Sequence, residues 1–260
     1  MRQCLAPDAD DRPAAPPGWR WSQHWGDVLF LHWAVPAAAV RVPVPLEIDA
    51  FDGAAWVSVV IFRLRTRARG LPFLPGMSEL AEVNVRTYVR HRGRPGVWFL
   101  SIHADNRWAA GLARLLTPLP YAHAPLSYCR RGDGFEFEAW PGTSAGSALT
   151  CRPTGGDPEP GGCPPDDWFL ERYRVFAPDR RGRLMEADVA HPRWVTRGVE
   201  VKIAANGFGR AAGLDLSGTP DRAQFSPGVW ARFGAFRPAE GVARTRPLPR
   251  GVRALGEPGG

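Results

Sequence analysis

The stretch "AEVNVRTYVR", residues 81–90, decides how the rest of the chain is read. Side chains alternate between the two faces of a strand, so Val83, Val85, Thr87 and Val89 fall on one face and Glu82, Asn84, Arg86 and Tyr88 on the other. One row is almost wholly apolar. The other holds a carboxylate, an amide, a guanidinium and a phenol, and it faces either water or an interior pocket. Because charged residues are mostly exposed, the residues alone favour water.

The same alternation recurs on both sides of this stretch. Trp25–Val35 precedes it, and Ala54–Arg65 ("AAWVSVVIFRLR") has the nearly continuous apolar middle of a strand covered on both faces. Val97–His103 follows across "HRGRPG", whose glycines and proline suit a hairpin loop. Trp108, Leu112 and Leu115 have helical spacing within residues 107–116, and Pro118 and Pro120 end that helix. Further strands are expected over Tyr121–Cys129 and Phe135–Trp140. "WFLERYRVFA" and "GRLMEADVA" form a hairpin around "PDRRG", "NGFGRAAGL" a helical turn, and "AQFSPGVWARFGAF" closing extended structure. Residues 141–166, rich in glycine and proline, read as a long loop or insertion. Residues 1–17 and 240–260 read as flexible tails around one β-rich domain over 18–239.

Composition narrows the function classes. With 260 residues, 44% of them hydrophobic and 11 tryptophans, the chain can bury a sizeable core. No apolar run reaches the length of a membrane span, and the first residues lack the apolar core of a secretory signal. A cytoplasmic protein with no membrane partner is expected. Cys4, Cys129, Cys151 and Cys163 lack CxxC spacing, which predicts free thiols rather than a disulfide framework or a zinc site. The formal charge of +7 rests on 33 Lys and Arg, of which Lys202 is the lone lysine. The basic residues are interleaved with acidic ones and form no long run, so nucleic-acid binding ranks well below a small-molecule role. "NGFGRAAG" lacks the βαβ context of a dinucleotide loop, and no cofactor is expected.

The strings "DVLFLHWAVP", "FDGAAWVSVVIFRLR", "PGMSELAEVNVRTYVR", "GVWFLSIHADN", "ARLLTPLPYAHA", "FLERYRVF" and "AHPRW" occur in an order that resembles the YqjF-like proteins. These are bacterial members of the acetoacetate-decarboxylase-like superfamily, and the resemblance covers most of residues 20–236. It implies an α+β fold, mostly antiparallel β, with a few short helices. The strands would form an acetoacetate-decarboxylase-like barrel or double cone around an interior cavity. On that fold Glu82, Asn84, Arg86 and Tyr88 are expected to face the cavity or its rim, and Glu82 matches the pocket glutamate of the decarboxylase branch. A homo-oligomer is reasonable from the superfamily's tendency to assemble.

The resemblance also exposes a missing group. Acetoacetate decarboxylases attack a ketone with a lysine amine to form a Schiff base. Their lysine pair lies in a "GFPKK"-like stretch after a short helix. Here the matching segment is "LTPLPYAHAP", with Tyr121 and Ala122 at the lysine positions. Lys202 lies outside the motif, and Gly26–Asp27 stand near the place of the substrate-orienting arginine. Aldimine decarboxylation is therefore not expected.

What remains suits proton transfer or binding. Glu82 is the expected general acid or base, with Tyr121 and His123 as its catalytic partners. Burial would raise the Glu82 pKa and Arg86 would lower it, and the sequence leaves that contest open. Arg86 suits a carboxylate, and Asn84, Tyr88, His32 and His103 complete the ligand-binding set. For His32 a hydrogen-bonded core position is the commoner outcome, and His191 is expected to fix a turn before Pro192. Ser101, His103 and Asp105 share one strand face, but neighbours on one strand rarely reach triad geometry, and no nucleophile elbow is present. No histidine pair has metal-ligand spacing, so no metal site is expected. The expected function is an interior pocket for a small organic acid or carbonyl compound, in a lyase-, hydratase- or isomerase-like reaction without a Schiff base. The alternative is a non-catalytic small-molecule-binding or partner-binding module on the same fold.

Overall fold

The computed structural model describes residues 19, 21–68, 79–140, 146–160 and 165–241. The expected tail at 1–17, the expected tail at 240–260 from residue 242 onward, and Cys4 and Cys163 lie outside the described residues. In chain order the first strands are β1 (Trp21–Val35), β2 (Glu47–Ile48), β3 (Ala55–Ala68), β4 (Glu79–His91) and β5 (Arg94–Ala104), followed by helix α1 (Arg107–Leu116). Then come β6 (Tyr121–His123), β7 (Leu126–Arg131), β8 (Gly134–Ala139), β9 (Ser147–Pro153), β10 (Glu159–Pro160) and helix α2 (Asp166–Leu170). The chain continues through β11 (Arg174–Pro178), β12 (Leu184–Ala190), β13 (Val195–Thr196), β14 (Val199–Ala205), β15 (Arg222–Phe233) and β16 (Arg237–Pro238). The fold is mostly antiparallel and strand-rich, as the sequence indicates.

Strands β4, β3, β1, β15, β12, β11 and β5 are hydrogen-bonded in that order, and β5 pairs back onto β4, so seven strands close a ring. Closure leaves these strands without free edges. A second sheet, β14-β9-β8-β7, covers part of the outside. The alternation in β3 and β4 follows from this layering. Val57, Val59, Ile61, Val83 and Val85 pack outward with Phe135, Phe137 and Leu149 of the second sheet. Val60, Phe62 and Tyr88 pack inward with Phe30, Val97, Phe169 and Trp194. Of the 81–90 stretch only Arg86 and Arg90 are partly exposed, and the other eight residues are buried on both faces.

One irregularity sets the inner wall. The β1–β3 register shifts between Gly26 and Leu29, where Asp27 has φ 51°. The extra residue changes the strand's phase, so Trp25 and Val28 both face inward despite their odd and even numbers. Opposite the shift, Gly228 has φ 123°, and a Cβ there would lie 2.0 Å from the Trp25 carbonyl oxygen. Only glycine permits this approach.

Three local expectations differ from what forms. Residues 141–166 are not all loop, because 147–153 make β9; its alternating buried Ser147, Leu149, Cys151 and Pro153 are a strand pattern set among glycines and prolines. "WFL" belongs to α2, with Asp166 and Asp167 in its first turn, where they favour the helix dipole. Tyr121–Cys129 is two strands, interrupted at Ala124–Pro125, since proline cannot donate to a ladder. Helix α1 forms as expected, with Asn106 accepting from the Trp108 and Ala109 amides at 2.9 Å each.

Candidate functional site

The inner faces of the ring leave a cavity of about 70 Å³. Since one water occupies roughly 10–15 Å³ on this measure, the space suits about five water positions or a short organic acid. Glu82, Asn84 and Arg86 reach it from β4, Tyr121 from β6, and Arg172 from the segment after α2; Trp25, Phe30 and Trp194 add aromatic walls. An outer groove of about 800 Å³, bordered by the end of α1, shares Leu119 and Tyr121 with the cavity.

Glu82 is only 3% exposed. Its carboxylate accepts from Asn84 Nδ2 and from the Tyr121 hydroxyl, each at 3.2 Å. Burial pushes its pKa from the ordinary 4.5 to about 7, against the smaller opposing pull of these two donors. The contest left open by the sequence is thus decided by desolvation, and no Glu82–Arg86 ion pair occurs among the described residues. Tyr121 is pushed well above its ordinary value by burial and then by the Glu82 charge, so its phenol stays a donor.

Arg86 has no carboxylate partner among the described residues, and its Nε has no hydrogen-bond partner. Its guanidinium lies over the Phe30 ring at 5.8 Å, and burial lowers its pKa, with the Tyr88 phenol as polar neighbour. Arg172, which sequence reasoning missed, approaches the same cavity. Its Nη1 donates to Asp49 Oδ2 at 2.6 Å and its Nε to the Trp168 carbonyl at 2.7 Å. The available signal was the spacing of Arg172 and Arg174 in "ERYRVF", which repeats the polar alternation of β4. His191 and Trp194 also line the cavity. His191 Nδ1 lies 2.8 Å from the Pro192 carbonyl, and burial lowers its pKa to about 4.

Behind Arg86 runs a polar chain with a fixed direction. Gln224 Nε2 donates to Asp166 at 2.7 Å, which turns its Oε1 toward His32 Nε2 at 2.9 Å. Burial lowers the His32 pKa to about 3, so the ring is neutral and carries its proton on Nε2. Nδ1 then accepts from the Ser58 hydroxyl at 2.5 Å, and Ser58 accepts from Tyr88 at 2.5 Å. The Tyr88 oxygen keeps lone pairs for Arg86. Ser58 is fully buried, so Ser58→Ala should lose about 1–3 kcal/mol, read as a lowered urea midpoint with an unchanged slope.

Four site expectations are corrected by this geometry. His32 and Tyr88 are each 0% exposed and do not line the cavity; α2 seals them with Phe169, 4.5 Å from His32, and Trp168, 4.6 Å from Tyr88. His103 pairs with Val83 and so lies on the outward face of the ring. His123 keeps the phase of Tyr121 but is exposed, because two further residues, roughly 7 Å of strand, carry it past the cavity. Glu82 and His123 therefore do not converge. Glu82, Asn84, Arg86 and Tyr121 do meet at one cavity. Lys202 lies on β14 with its side chain 79% exposed beside Glu200. No cluster of potential metal ligands and no helix long and apolar enough to cross a membrane occurs among the described residues.

Comparison with known proteins places this geometry. Residues 22–230 match the family model DUF2071, described as an uncharacterized conserved protein. The chain is 36% identical over 203 residues to the uncharacterized protein YqjF of Bacillus subtilis (strain 168), covering 76% of this chain and 84% of that protein. It is similar, at TM-score 0.58 and 14% identity, to an acetoacetate decarboxylase-like enzyme from Sphingomonas wittichii RW1, covering 85% of this chain and 93% of the other. Its TM-score with the enduracididine biosynthesis enzyme MppR complexed with pyruvate is 0.57 at 16% identity, over 89% of this chain and 94% of that one. At such identities the likeness is one of fold.

Proposed function

This chain belongs to the DUF2071 family of YqjF-like proteins, and from that premise we propose that its cavity takes a small organic acid or carbonyl compound and moves a proton on it. The observation that carries the reading is Glu82, the buried cavity carboxyl whose pKa of about 7 lets it give and take a proton near neutrality. Arg86 holds the ligand's carboxylate. Ionised Glu82 takes a proton from the carbon beside the carbonyl, and the C–H electron pair becomes the C=C bond of an enolate whose oxygen takes the charge. Once Glu82 is protonated, the Tyr121 hydroxyl is released to donate to that oxygen. Returning the proton, or expelling a leaving group from the next carbon, gives isomerase-, hydratase- or lyase-like chemistry. The reaction takes place in the cytoplasm, a reading in keeping with Cys129 and Cys151 as free thiols.

Pyruvate, named with one structural neighbour, is a suitable probe because it is short and carries both groups. Incubated with the protein in D₂O at pH 8, its methyl protons should exchange, as followed by proton NMR. Borohydride added to the mixture should leave the protein's mass unchanged. An adduct on Lys202 would overturn the acid–base mechanism. Saturable binding without exchange would leave the second reading, a binding module, which the outward position of the lone lysine favours.

A further inference from the structure

We propose that Arg172 and Arg86 together clamp a single carboxylate, so that the cavity selects short monocarboxylates over neutral carbonyl compounds. This deepens the reading above and rests on it. The ion pair of Arg172 with Asp49 resembles an ordinary buried salt bridge, but the donor count of Arg172 says otherwise. Nη1 is committed to Asp49 and Nε to the Trp168 carbonyl, while Nη2 is buried with no partner. The guanidinium is held against the Trp168 ring at 4.4 Å and the Tyr88 ring at 5.1 Å, with its side chain 4% exposed. It is a rigid fork with one donor nitrogen left over, in the wall of the cavity that Arg86 also lines.

The charges point the same way. Asp49 is already shared between Arg172 and Arg90, at 2.6 and 2.7 Å. Arg174, the third cavity arginine, is paired with Asp188 at 3.0 Å. Glu82 is held largely neutral up to a pH of about 7. No carboxylate of the described residues offsets Arg86, and the charge of Arg172 acts on it as well. A buried cation with spare donors is costly unless an anion completes it. With Arg90, whose side chain is 43% exposed, left to solvent, Asp49 offsets Arg172 and one monoanion balances Arg86; a cavity of about 70 Å³ has no space for a nucleotide or a long chain. The carboxylate sits between the two guanidinium groups and the ligand's carbonyl or hydroxyl oxygen lies toward Glu82 and Tyr121.

Calorimetric titration of the full chain with pyruvate and with acetone, which lacks the carboxylate, tests the clamp. Arg172→Lys keeps a cation for Asp49 but removes the spare nitrogen. Wild type should bind pyruvate at least 100-fold more tightly than acetone, and Arg172→Lys should lose about tenfold on pyruvate and nothing on acetone. Unchanged pyruvate affinity in the variant, or equal binding of the two probes by wild type, overturns the clamp while leaving a small-molecule pocket in place. Wild type binding neither probe overturns the proposed function and the clamp with it. Should Arg172→Lys not fold, nitrogen-15 spectra of wild type decide: pyruvate must shift two arginine side-chain signals that acetone leaves still, and one or none overturns the clamp.

Discussion

Glu82→Gln is expected to slow the exchange of pyruvate methyl protons by about 10²–10⁴-fold, the range lost with a positioned general base. Glutamine keeps a carbonyl oxygen in the same volume, so it can still accept from Tyr121, and the ring around it is unchanged. Pyruvate affinity should therefore change far less than rate. In wild type the exchange rate should rise as Glu82 ionises, with its midpoint near pH 7. The variant should show no such midpoint. A variant that exchanges at the wild-type rate removes Glu82 from the chemistry, and a wild type without any exchange leaves the residue a binding group.

The same substitution has a signature in stability that does not depend on any ligand. The folded pKa of Glu82 is about 7 against an ordinary 4.5, so between those values the native chain holds a proton that the unfolded chain has released. Its contribution is full below about pH 4.5 and is lost as pH rises through about 7. Glutamine cannot ionise, and Glu82→Gln should be flat over this window apart from other groups. The two proteins should diverge by roughly 3 kcal/mol by pH 8, the variant being favoured, since a tenfold difference in proton affinity between the folded and unfolded chain is worth about 1.4 kcal/mol. Urea titrations of both proteins at pH 5 and pH 8 measure it. Equal pH dependence would mean that Glu82 is solvated.

How much of this site the sequence reveals depends on how local each signal is. The period of two in residues 81–90 is a local property, and it grouped Glu82, Asn84 and Arg86 on one face; the residues alone favoured water for that face, and only the resemblance turned it toward a cavity. Tyr121 was legible for a similar reason, because the segment replacing the lysines of the resembling enzymes is short and continuous. Phase alone does not give depth. His123 shares the phase of Tyr121 yet is exposed, and Tyr88 shares the phase of Arg86 yet is sealed by α2. The seal comes from residues some eighty positions later, in a stretch whose aromatic run reads as a strand. Arg172 was hidden by the same distance: its meaning comes from Asp49, 123 residues earlier, and from Arg86 across the ring. Ring closure combines a local pair, the β4–β5 hairpin that "HRGRPG" signals, with the parallel β5–β11 pair, which sets Val97 beside Val175 and is announced by nothing in either strand's composition.

Asp49→Ala should be among the most damaging single substitutions in the protein, costing about 3–5 kcal/mol, a large share of the roughly 5–15 kcal/mol that holds a typical domain together. Asp49 is 3% exposed, and the side chain of Arg172 only 4%. Removing the carboxylate leaves a guanidinium held against two aromatic rings, with no other carboxylate among the described residues to pair with and no room to turn out to bulk solvent, beside Arg86, which also lacks a carboxylate. Glu186 provides the control. It is also buried and also carries two arginines, Arg94 at 2.8 Å and Arg237 at 3.0 Å. Those side chains are 31% and 46% exposed, so both can turn into solvent when Glu186 is lost. Glu186→Ala should consequently cost clearly less, although the two carboxylates have the same number of ionic partners. Urea denaturation of both variants makes the comparison, and equal losses would mean that the Arg172 environment is wetter than its burial indicates. The double substitution Asp49→Ala/Arg172→Met separates an orphaned charge from lost packing. Because removing both members of a buried pair is far less costly than removing one, the double variant should regain most of the stability that Asp49→Ala loses. It should also bind pyruvate more weakly than wild type, because the clamp has lost one of its two arginines.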